Sequence, residues 1–339
     1  MSLELRRFNP RTDAEEWNRY VERSPGTNPF FRTEALRLQA EETETRPHLL
    51  ASFKGQEAVG LFPVFEYTKG PVTGAFSPAP RSWTPYLGPA VLNVDKLKQR
   101  KADRRVKQFL EDCIEWIDEE LEPVYAKFVA AEFDDVRPFV WNEYEVRPGY
   151  TYVVDLDCGE EELLNRFSSD ARSNVRNADE DAYTIEEGSG ADVERIVEQV
   201  SQRYEAQNRS FHMSGRFARR AYDLLPDGAI RPYVCRIDGS FVGGILVVES
   251  DSTRYRWQGG VRPDDAGIDV DLPINDLLDW HVMRDGIDAG IDRYDMVGAG
   301  VPSINRYKAK FNPRLETHYE ITDGAFGLDI VVDQYRKRR

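Results

Sequence analysis

The sequence predicts an α/β (α+β) protein with two tandem domains, each a mixed, mostly antiparallel sheet flanked by helices. Both halves show the same order of strand, two helices, hairpin, long helix and strand, which indicates an internal duplication rather than a chance agreement. The hairpin turns occupy matched positions, because one begins 24 residues after Phe30 and the other 27 residues after Phe211. Hairpins imply antiparallel pairs and long crossover helices imply parallel ones, so each sheet is mixed.

The first half contains seven elements that alternation and helical periodicity predict. They are a strand at 3–8, helices at 14–22 and 32–42, hairpin strands at 48–53 and 58–64, a helix at 103–120 and a strand at 126–131. The helical pattern is clearest at Trp17 and Val21, which lie four residues apart. The hairpin signal is the turn Lys54-Gly55-Gln56 between two apolar runs.

The second half repeats this order after a strand at 150–156 and a helix at 160–178. Its elements are a strand at 183–186, helices at 192–205 and 216–225, hairpin strands at 231–237 and 241–248, a helix at 273–289 and a strand at 293–297. A turn-rich stretch ends at Pro148-Gly149-Tyr150. We therefore predict domains at 1–149 and 150–335.

Composition limits the classes of function. The chain has 339 residues and a formal net charge of −15, with only 10 Lys against 35 Arg. This balance is typical of adaptation to high salt, or of a generally acidic cytosolic protein, and it disfavours DNA binding. The sequence contains no run of about 18 apolar residues, so it predicts no membrane span. The three cysteines are odd in number and far apart, which argues against a disulfide framework, and the four histidines are too few and scattered for a zinc site. We therefore expect a cytoplasmic protein without a bound metal.

Several motifs resemble those of the FemABX family, whose members pair two GNAT acyltransferase folds. In the first half the similar segments are Phe76-Ser77-Pro78-Ala79-Pro80 and Tyr86-Leu87-Gly88-Pro89. In the second half they are 150–178, Asp238 to Gly244, Tyr255 to Gly260, Tyr294 to Gly300 and Ile304 to Phe311. The resemblance covers most of the chain, and the order and spacing of these motifs carry it more than any single motif.

The resemblance implies two GNAT-like domains and an acyl or aminoacyl transfer to an amine of a peptide, amino sugar or nucleotide-linked precursor. It implies no tightly bound cofactor, with acyl-CoA or aminoacyl-tRNA as the co-substrate. Backbone N–H groups at a splayed strand would bind anionic groups. Two family features are missing from the sequence, a long helical arm between Ala178 and Asp192 and the usual pyrophosphate loop. The donor therefore stays open, and a non-catalytic binding protein is the alternative.

Lys308 and Lys310 are the strongest catalytic candidates. They are the only lysines between Lys127 and Lys337, in a chain that otherwise uses arginine. If this segment is a strand, the two side chains point the same way. A lysine ammonium suits a phosphate, a carboxylate or a developing oxyanion, whereas a solvated strand edge is the alternative role.

Asp295 and an arginine pair are further candidates. Asp295 lies at the end of a predicted strand and could accept a proton from the amine, or be an ordinary strand-end carboxylate. Arg172 and Arg176 stand at i and i+4 on the helix that begins near Gly159. Such a pair could bind a diphosphate, or be neutralised by Asp170 or Asp179.

The remaining candidates are substrate-binding residues. Tyr255 and Trp257 share one face of a predicted strand, and they either line an acceptor groove or belong to the core. Asn275 opens the long second-half helix and could cap it. Trp83 and Tyr86 lie in a proline-rich loop that would contribute to the acceptor cleft, and Phe311 closes the lysine-containing motif.

Overall fold

The computed structural model describes residues 2–133, 135–261 and 272–324. The chain divides into two compact units, one formed by residues 1–149 with 317–339 and the other by residues 150–316. The described residues 317–324 group with the first unit, whereas the sequence predicted that the second domain extends to residue 335. The reason is that the last described strand pairs with a first-unit strand, Tyr319 lying opposite Ala130. Residues 325–335 lie outside the described part of the chain.

The first unit is built on a mixed sheet in the order β1-β2-β3-β4-β6-β13, where β13 is Arg314–Gly324, with β5 beside β3. Among the described strands of this unit, the parallel pair is β4 and β6, which α3 connects as a crossover. The elements are β1 (Glu4–Phe8), α1 (Ala14–Val21), α2 (Thr33–Thr43), β2 (Arg46–Lys54), β3 (Glu57–Lys69), β4 (Val72–Ser77), β5 (Ala90–Val91), α3 (Gln99–Leu121), β6 (Tyr125–Ala130), α4 (Arg137–Trp141) and the start of β7 (Glu145–Asp155).

The second unit repeats the pattern with a sheet in the order β7-β12-β11-β10-β9-β8. Here β11 and β12 form the parallel pair, and α9 is their crossover. The elements are α5 (Glu160–Arg166), α6 (Ser169–Arg176), β8 (Thr184–Glu187), α7 (Gly190–Ala206), α8 (Gly215–Leu224), β9 (Ile230–Ile237), β10 (Ser240–Glu249), β11 (Thr253–Gly259), α9 (Ile274–Asp288), β12 (Arg293–Asp295), α10 (Pro302–Lys308) and the first three residues of β13. The predicted mixed, mostly antiparallel architecture and the repeated order are therefore confirmed.

Two segments differ from the prediction. The single helix expected over 160–178 is two helices, because Phe167 is extended and Ser168 begins a new helix while its N–H donates to the carbonyl of Lys310 (2.8 Å). The segment containing Lys308 and Lys310 is helical, ending α10 and continuing as a 3₁₀ turn over Ala309–Phe311. Pro302 at the first turn of α10 favours this helix start.

The core of the second unit fixes the elements around β11 and β12. Leu278, Val282 and Met283 on α9 are fully buried against the sheet. On the opposite side, α7 approaches β10 so closely that a Cβ at Gly244 would lie 2.8 Å from Ile196 Cδ1. None of the helices in the described ranges has the length and apolar character needed to cross a bilayer.

Candidate active site

The sheet of the second unit opens beside β12. β11 and β12 pair only from Thr253 opposite Arg293 to Tyr255 opposite Asp295, although β11 continues to Gly259. On its other edge, β11 shifts register against β10, which leaves Trp257 as an extra residue in a bulge. The two parallel strands therefore separate beyond Asp295, as expected from the resemblance. We call the gap between them the opening.

The chain leaving β12 turns sharply at Val297 and Gly298. Val297 has a φ of 50°, a left-handed conformation that is rare for a β-branched residue. Asp295 Oδ1 accepts hydrogen bonds from Thr151 Oγ1 (2.5 Å) and from the N–H of Val297 (2.7 Å). Thr151 Oγ1 also accepts from the N–H of Gly298 (3.0 Å). Thr151 and Asp295 are both buried, so this network holds the strained turn in place.

Lys308 points at this turn. Its Nζ donates to the carbonyl oxygens of Val297 (2.8 Å) and Gly298 (2.7 Å). Lys308 is 7% exposed, and no described carboxylate lies within 4.0 Å of its Nζ. Burial and the Arg256 guanidinium lower the pKa of Lys308 to about 8, against the opposing effect of nearby carboxylates. Lys308 is therefore a buried amine whose pKa lies well below that of an exposed lysine.

A buried carboxylate organises the base of the opening. Asp279 on α9 is fully buried and accepts hydrogen bonds from Tyr294 Oη (2.5 Å), Tyr307 Oη (2.5 Å) and Arg256 Nε (2.9 Å). These three donors lie on β12, α10 and β11. Burial, and secondarily the Asp279 charge, raise the pKa of both phenols well above the ordinary value, so they remain protonated donors. One carboxylate thus ties together the three elements that border the opening.

The buried carboxyl of Asp295 predicts a pH-dependent stability. Burial raises its pKa from 3.8 to about 6, although the bonds from Thr151 and Val297 oppose the shift. The folded state therefore holds an extra proton between pH 4 and 6, and the stability from this proton is lost as the pH rises through 6. We expect Asp295→Asn, which keeps the Oδ1 acceptor, to increase the free energy of unfolding at pH 7.5 by up to about 3 kcal/mol and to have little effect at pH 4.

Urea unfolding of both proteins at pH 4 and pH 7.5 measures this difference. Asp292→Asn is the matched control, because Asp292 is exposed three residues earlier. A loss of stability in Asp295→Asn at pH 7.5 would show instead that the fold needs the negative charge.

Lys310 has different surroundings from Lys308. In a strand, Lys308 and Lys310 would point the same way. Because this segment is helical, residues two apart lie on different faces. Lys310 Nζ lies 3.3 Å from carboxylate oxygens of both Asp276 and Asp170. Burial lowers the pKa of Lys310, but these two carboxylates outweigh it and the pKa is raised. Lys310 thus connects α6 and α9 as a paired cation, and the two lysines do not converge on one group.

Arg172 and Arg176 lie on α6 and contact α5. Arg172 Nη1 donates to the carbonyl of Asn165 (3.1 Å). Arg176 pairs with Glu161 and also donates to Asn165 Oδ1 (3.2 Å). An acid therefore neutralises Arg176, as the alternative expected, but it is Glu161 and not Asp170 or Asp179. Neither arginine shares a partner with the lysines.

Asn275 lies inside α9 and does not cap it. The residue preceding the helix is Pro273, and Asn275 is its second residue. Its Oδ1 accepts from the N–H of Val261 (2.7 Å) and its Nδ2 donates to the carbonyl of Val261 (2.6 Å). The prediction that Asn275 caps this helix is therefore wrong. Its side-chain amide instead holds Val261, which follows β11.

The aromatic candidates are buried to different degrees. Tyr255 and Trp257 are 5% and 4% exposed, and Trp257 packs edge-on against Phe217. Phe311 is fully buried between Phe167 and Tyr307, so it belongs to the core and does not contact a substrate directly. It supports the position of Tyr307 instead.

The two first-unit candidates lie in the proline-rich loop. Tyr86 is buried, its ring packs against His318, and its carbonyl accepts from Asn28 Nδ2 (3.0 Å). Trp83 is half-buried and adopts a φ of 55°. These contacts lie within the first unit, and a contribution of the loop to an acceptor cleft stays a prediction.

Four site residues escaped sequence reasoning. Thr151, Arg256, Asp279 and Tyr307 carry most of the hydrogen bonds around the opening. Asp279 had a usable signal, because it interrupts the apolar run Leu277-Leu278-Asp279-Trp280 on a helix whose neighbours are buried. Thr151 had none, since its partners lie more than 140 residues away. Within the described ranges, no group of three His, Cys, Asp or Glu side chains is arranged to hold a metal ion.

The order of strands, the crossover α9 and the opening at the parallel pair define a GNAT-type domain in the second unit. Residues 165–309 match the family model described as an acetyltransferase (GNAT) domain. The sequence has no significant match among curated proteins.

Solved structures share the fold over nearly the whole chain. FemX is similar with a TM-score of 0.71 at 14% identity, covering 94% of this chain and 96% of that one. L-PGS from Bacillus licheniformis gives a TM-score of 0.55 at 12% identity, covering 96% of each chain. The C-terminal domain of an Agrobacterium fabrum protein assigned as a lysylphosphatidylglycerol synthetase gives 0.54 at 14% identity, covering 94% and 93%. With the domain match, these likenesses confirm the resemblance to the FemABX-like GNAT family.

Proposed function

We propose that the protein is an N-acyltransferase that transfers an acyl or aminoacyl group to an amine of a peptide, amino sugar or nucleotide-linked precursor. The observation that carries the proposal is the position of Lys308. It is a buried amine bound to the turn that leaves β12, beside the end of the β11–β12 pairing, in the unit that contains the match to an acetyltransferase model. Of the predicted catalytic residues, Lys308 would act at the reacting groups. Asp295 would fix the turn, and Lys310 would be structural.

The chemistry fits this arrangement. Amide formation needs an amine held against an activated carbonyl, an acceptor for the amine proton and groups that stabilise the oxyanion. The opening offers Lys308 for proton transfer, and β11 extends there beyond its last pair with β12. Arg256 and Tyr307 lie at its base and are held by Asp279.

We infer acyl-CoA as the first donor to test and charged tRNA as the second. The domain description names an acetyltransferase. Between α6 and α7 the chain forms β8 and turns, so the helical arm expected from tRNA-using relatives does not occur there. The fold likeness to FemX supports keeping aminoacyl-tRNA as the alternative donor.

We also propose that the protein works in the cytoplasm. The cysteines Cys113, Cys158 and Cys235 are free, and two of them are buried. Such thiols are compatible with a reducing compartment.

A donor screen tests the proposal. The full chain is incubated with acetyl-CoA, a long-chain acyl-CoA, UDP-sugars or aminoacyl-tRNA, and its melting temperature is measured in low and high salt. We expect an increase with one acyl donor that saturates with concentration, and then formation of an amide, detected by mass spectrometry, when amines are added. Saturable binding without any amide product would favour the non-catalytic binding protein, and no binding of any donor would overturn the proposal.

A further inference from the structure

We infer that Lys308 acts as an uncharged amine that accepts the proton of the attacking amine, and that Thr151 is the positioning residue for its two carbonyl partners. This inference rests on the proposed function and refines it. The sequence pointed to a lysine as a fixed positive charge, whereas the hydrogen bonds at Nζ leave room for the uncharged amine as the reactive form.

The hydrogen bonds at Nζ match a neutral amine. An ammonium has three N–H donors, whereas an uncharged amine has two donors and one lone pair. The described residues offer Nζ two acceptors, the carbonyls of Val297 and Gly298 at 2.8 and 2.7 Å. Both donors of an uncharged Lys308 are therefore used, and its lone pair is left to accept a proton.

The surroundings of Lys308 make its ammonium easier to deprotonate than that of an exposed lysine. Burial disfavours the charged form, and Arg256 on β11 adds to this effect. Asp295 on β12 and Asp279 on α9 act in the opposite direction. Asp279, however, is bound to Arg256 and two tyrosines. No described carboxylate is close enough to form an ion pair with Lys308.

Thr151 determines where the two carbonyls point. The left-handed Val297 would relax to an ordinary conformation unless something held it. Thr151 Oγ1 acts on both sides of the turn, because it donates to Asp295 and accepts from the N–H of Gly298. A valine has the same shape and can do neither, whereas a serine can do both.

In the proposed reaction, one proton passes from the acceptor nitrogen through Lys308 to the leaving group. The acceptor nitrogen forms a bond to the donor carbonyl carbon while one of its protons moves to the Lys308 lone pair. The bond from that carbon to the leaving sulfur or oxygen then breaks. The leaving group takes the proton from the Lys308 ammonium, which restores the neutral amine for the next turnover.

Titration of Lys308 tests its charge state without a substrate. The chain has only 10 lysines, so ¹³Cε-lysine labelling gives a simple NMR spectrum in which Lys308→Arg identifies the Lys308 signal. We expect this signal to titrate near pH 8 and that of Lys310 well above it. Titration of Lys308 above pH 10 would overturn the inference and leave the proposed function intact.

Turnover tests the role in catalysis. With acetyl-CoA and hydroxylamine, an acceptor already uncharged at pH 7, kcat/KM should rise with pH to a plateau above 8. Lys308→Arg keeps a charge but cannot accept a proton, so we expect at least a 100-fold loss and no rising limb. Lys308→Arg with more than a tenth of the wild-type activity would show that a fixed charge suffices. No turnover in any protein would count against the proposed function, while the NMR titration would still decide the charge state.

A pair of variants tests Thr151. We expect Thr151→Val to lower kcat at least 10-fold with KM within 3-fold of wild type, and to change the Lys308 Cε chemical shift. Thr151→Ser should remain within 3-fold in both constants. Equal behaviour of the two variants, or a Thr151→Val whose lower activity follows only its fraction unfolded, would remove Thr151 from a positioning role.

Discussion

Replacing Lys308 by methionine is expected to reduce kcat by roughly 10²- to 10⁴-fold, the usual contribution of a positioned acid or base. Methionine fills a similar volume and buries no charge, so the core around α10 should remain intact. The variant loses the only side chain that binds the Val297 and Gly298 carbonyls among the described residues. Donor binding should persist, because the strands that border the opening are unchanged.

Steady-state kinetics and donor-induced melting shifts, measured on the same preparations, separate these effects. Arg306→Met is the matched control, since Arg306 is exposed on the same helix and removing its charge should leave turnover within 2-fold. Lys310→Met is informative in another way, because it should lower stability through Asp276 and Asp170. A Lys308→Met protein with near wild-type kcat would remove Lys308 from the chemistry.

The fold could be predicted because its signals are local. The hairpin around Gly55 and the helices at 14–22 and 192–205 depend on periodicity and turn residues within a few positions. The break at Phe167 was missed because it depends on a distant contact, the hydrogen bond from Ser168 to Lys310. The sequence also could not show that β13 pairs with β6 of the first unit, because no local pattern encodes which strands pair.

The site could be predicted only in part, since its residues come from separate elements. The scarcity of lysine singled out Lys308 and Lys310, but the sequence could not distinguish the carbonyl-bound lysine from the carboxylate-bound one. That difference arises from helical geometry, which sends the two side chains in different directions. Thr151 and Asp279 are recognisable only once their partners are in place.

Replacing Asp279 by alanine is expected to be the most destabilising single change in the second unit, at about 3–5 kcal/mol. The substitution leaves the Arg256 guanidinium, whose side chain is 14% exposed, without its carboxylate. It also leaves the buried Tyr294 phenol and the half-buried Tyr307 phenol without an acceptor. Each unsatisfied donor keeps its desolvation cost. Since these residues lie on β11, β12 and α10, the loss should loosen the opening as well as the fold.

Chemical denaturation monitored by tryptophan fluorescence measures the effect, with Asp288→Ala as the control on the exposed end of the same helix. Asp279→Asn retains an acceptor but loses the charge, so it should fall between wild type and Asp279→Ala. Combining Asp279→Leu with Arg256→Met removes both charges and should be less destabilised than Asp279→Leu alone, because no uncompensated charge remains buried. If the two single changes simply add in that double variant, Arg256 and Asp279 are not coupled and the carboxylate does not organise the site.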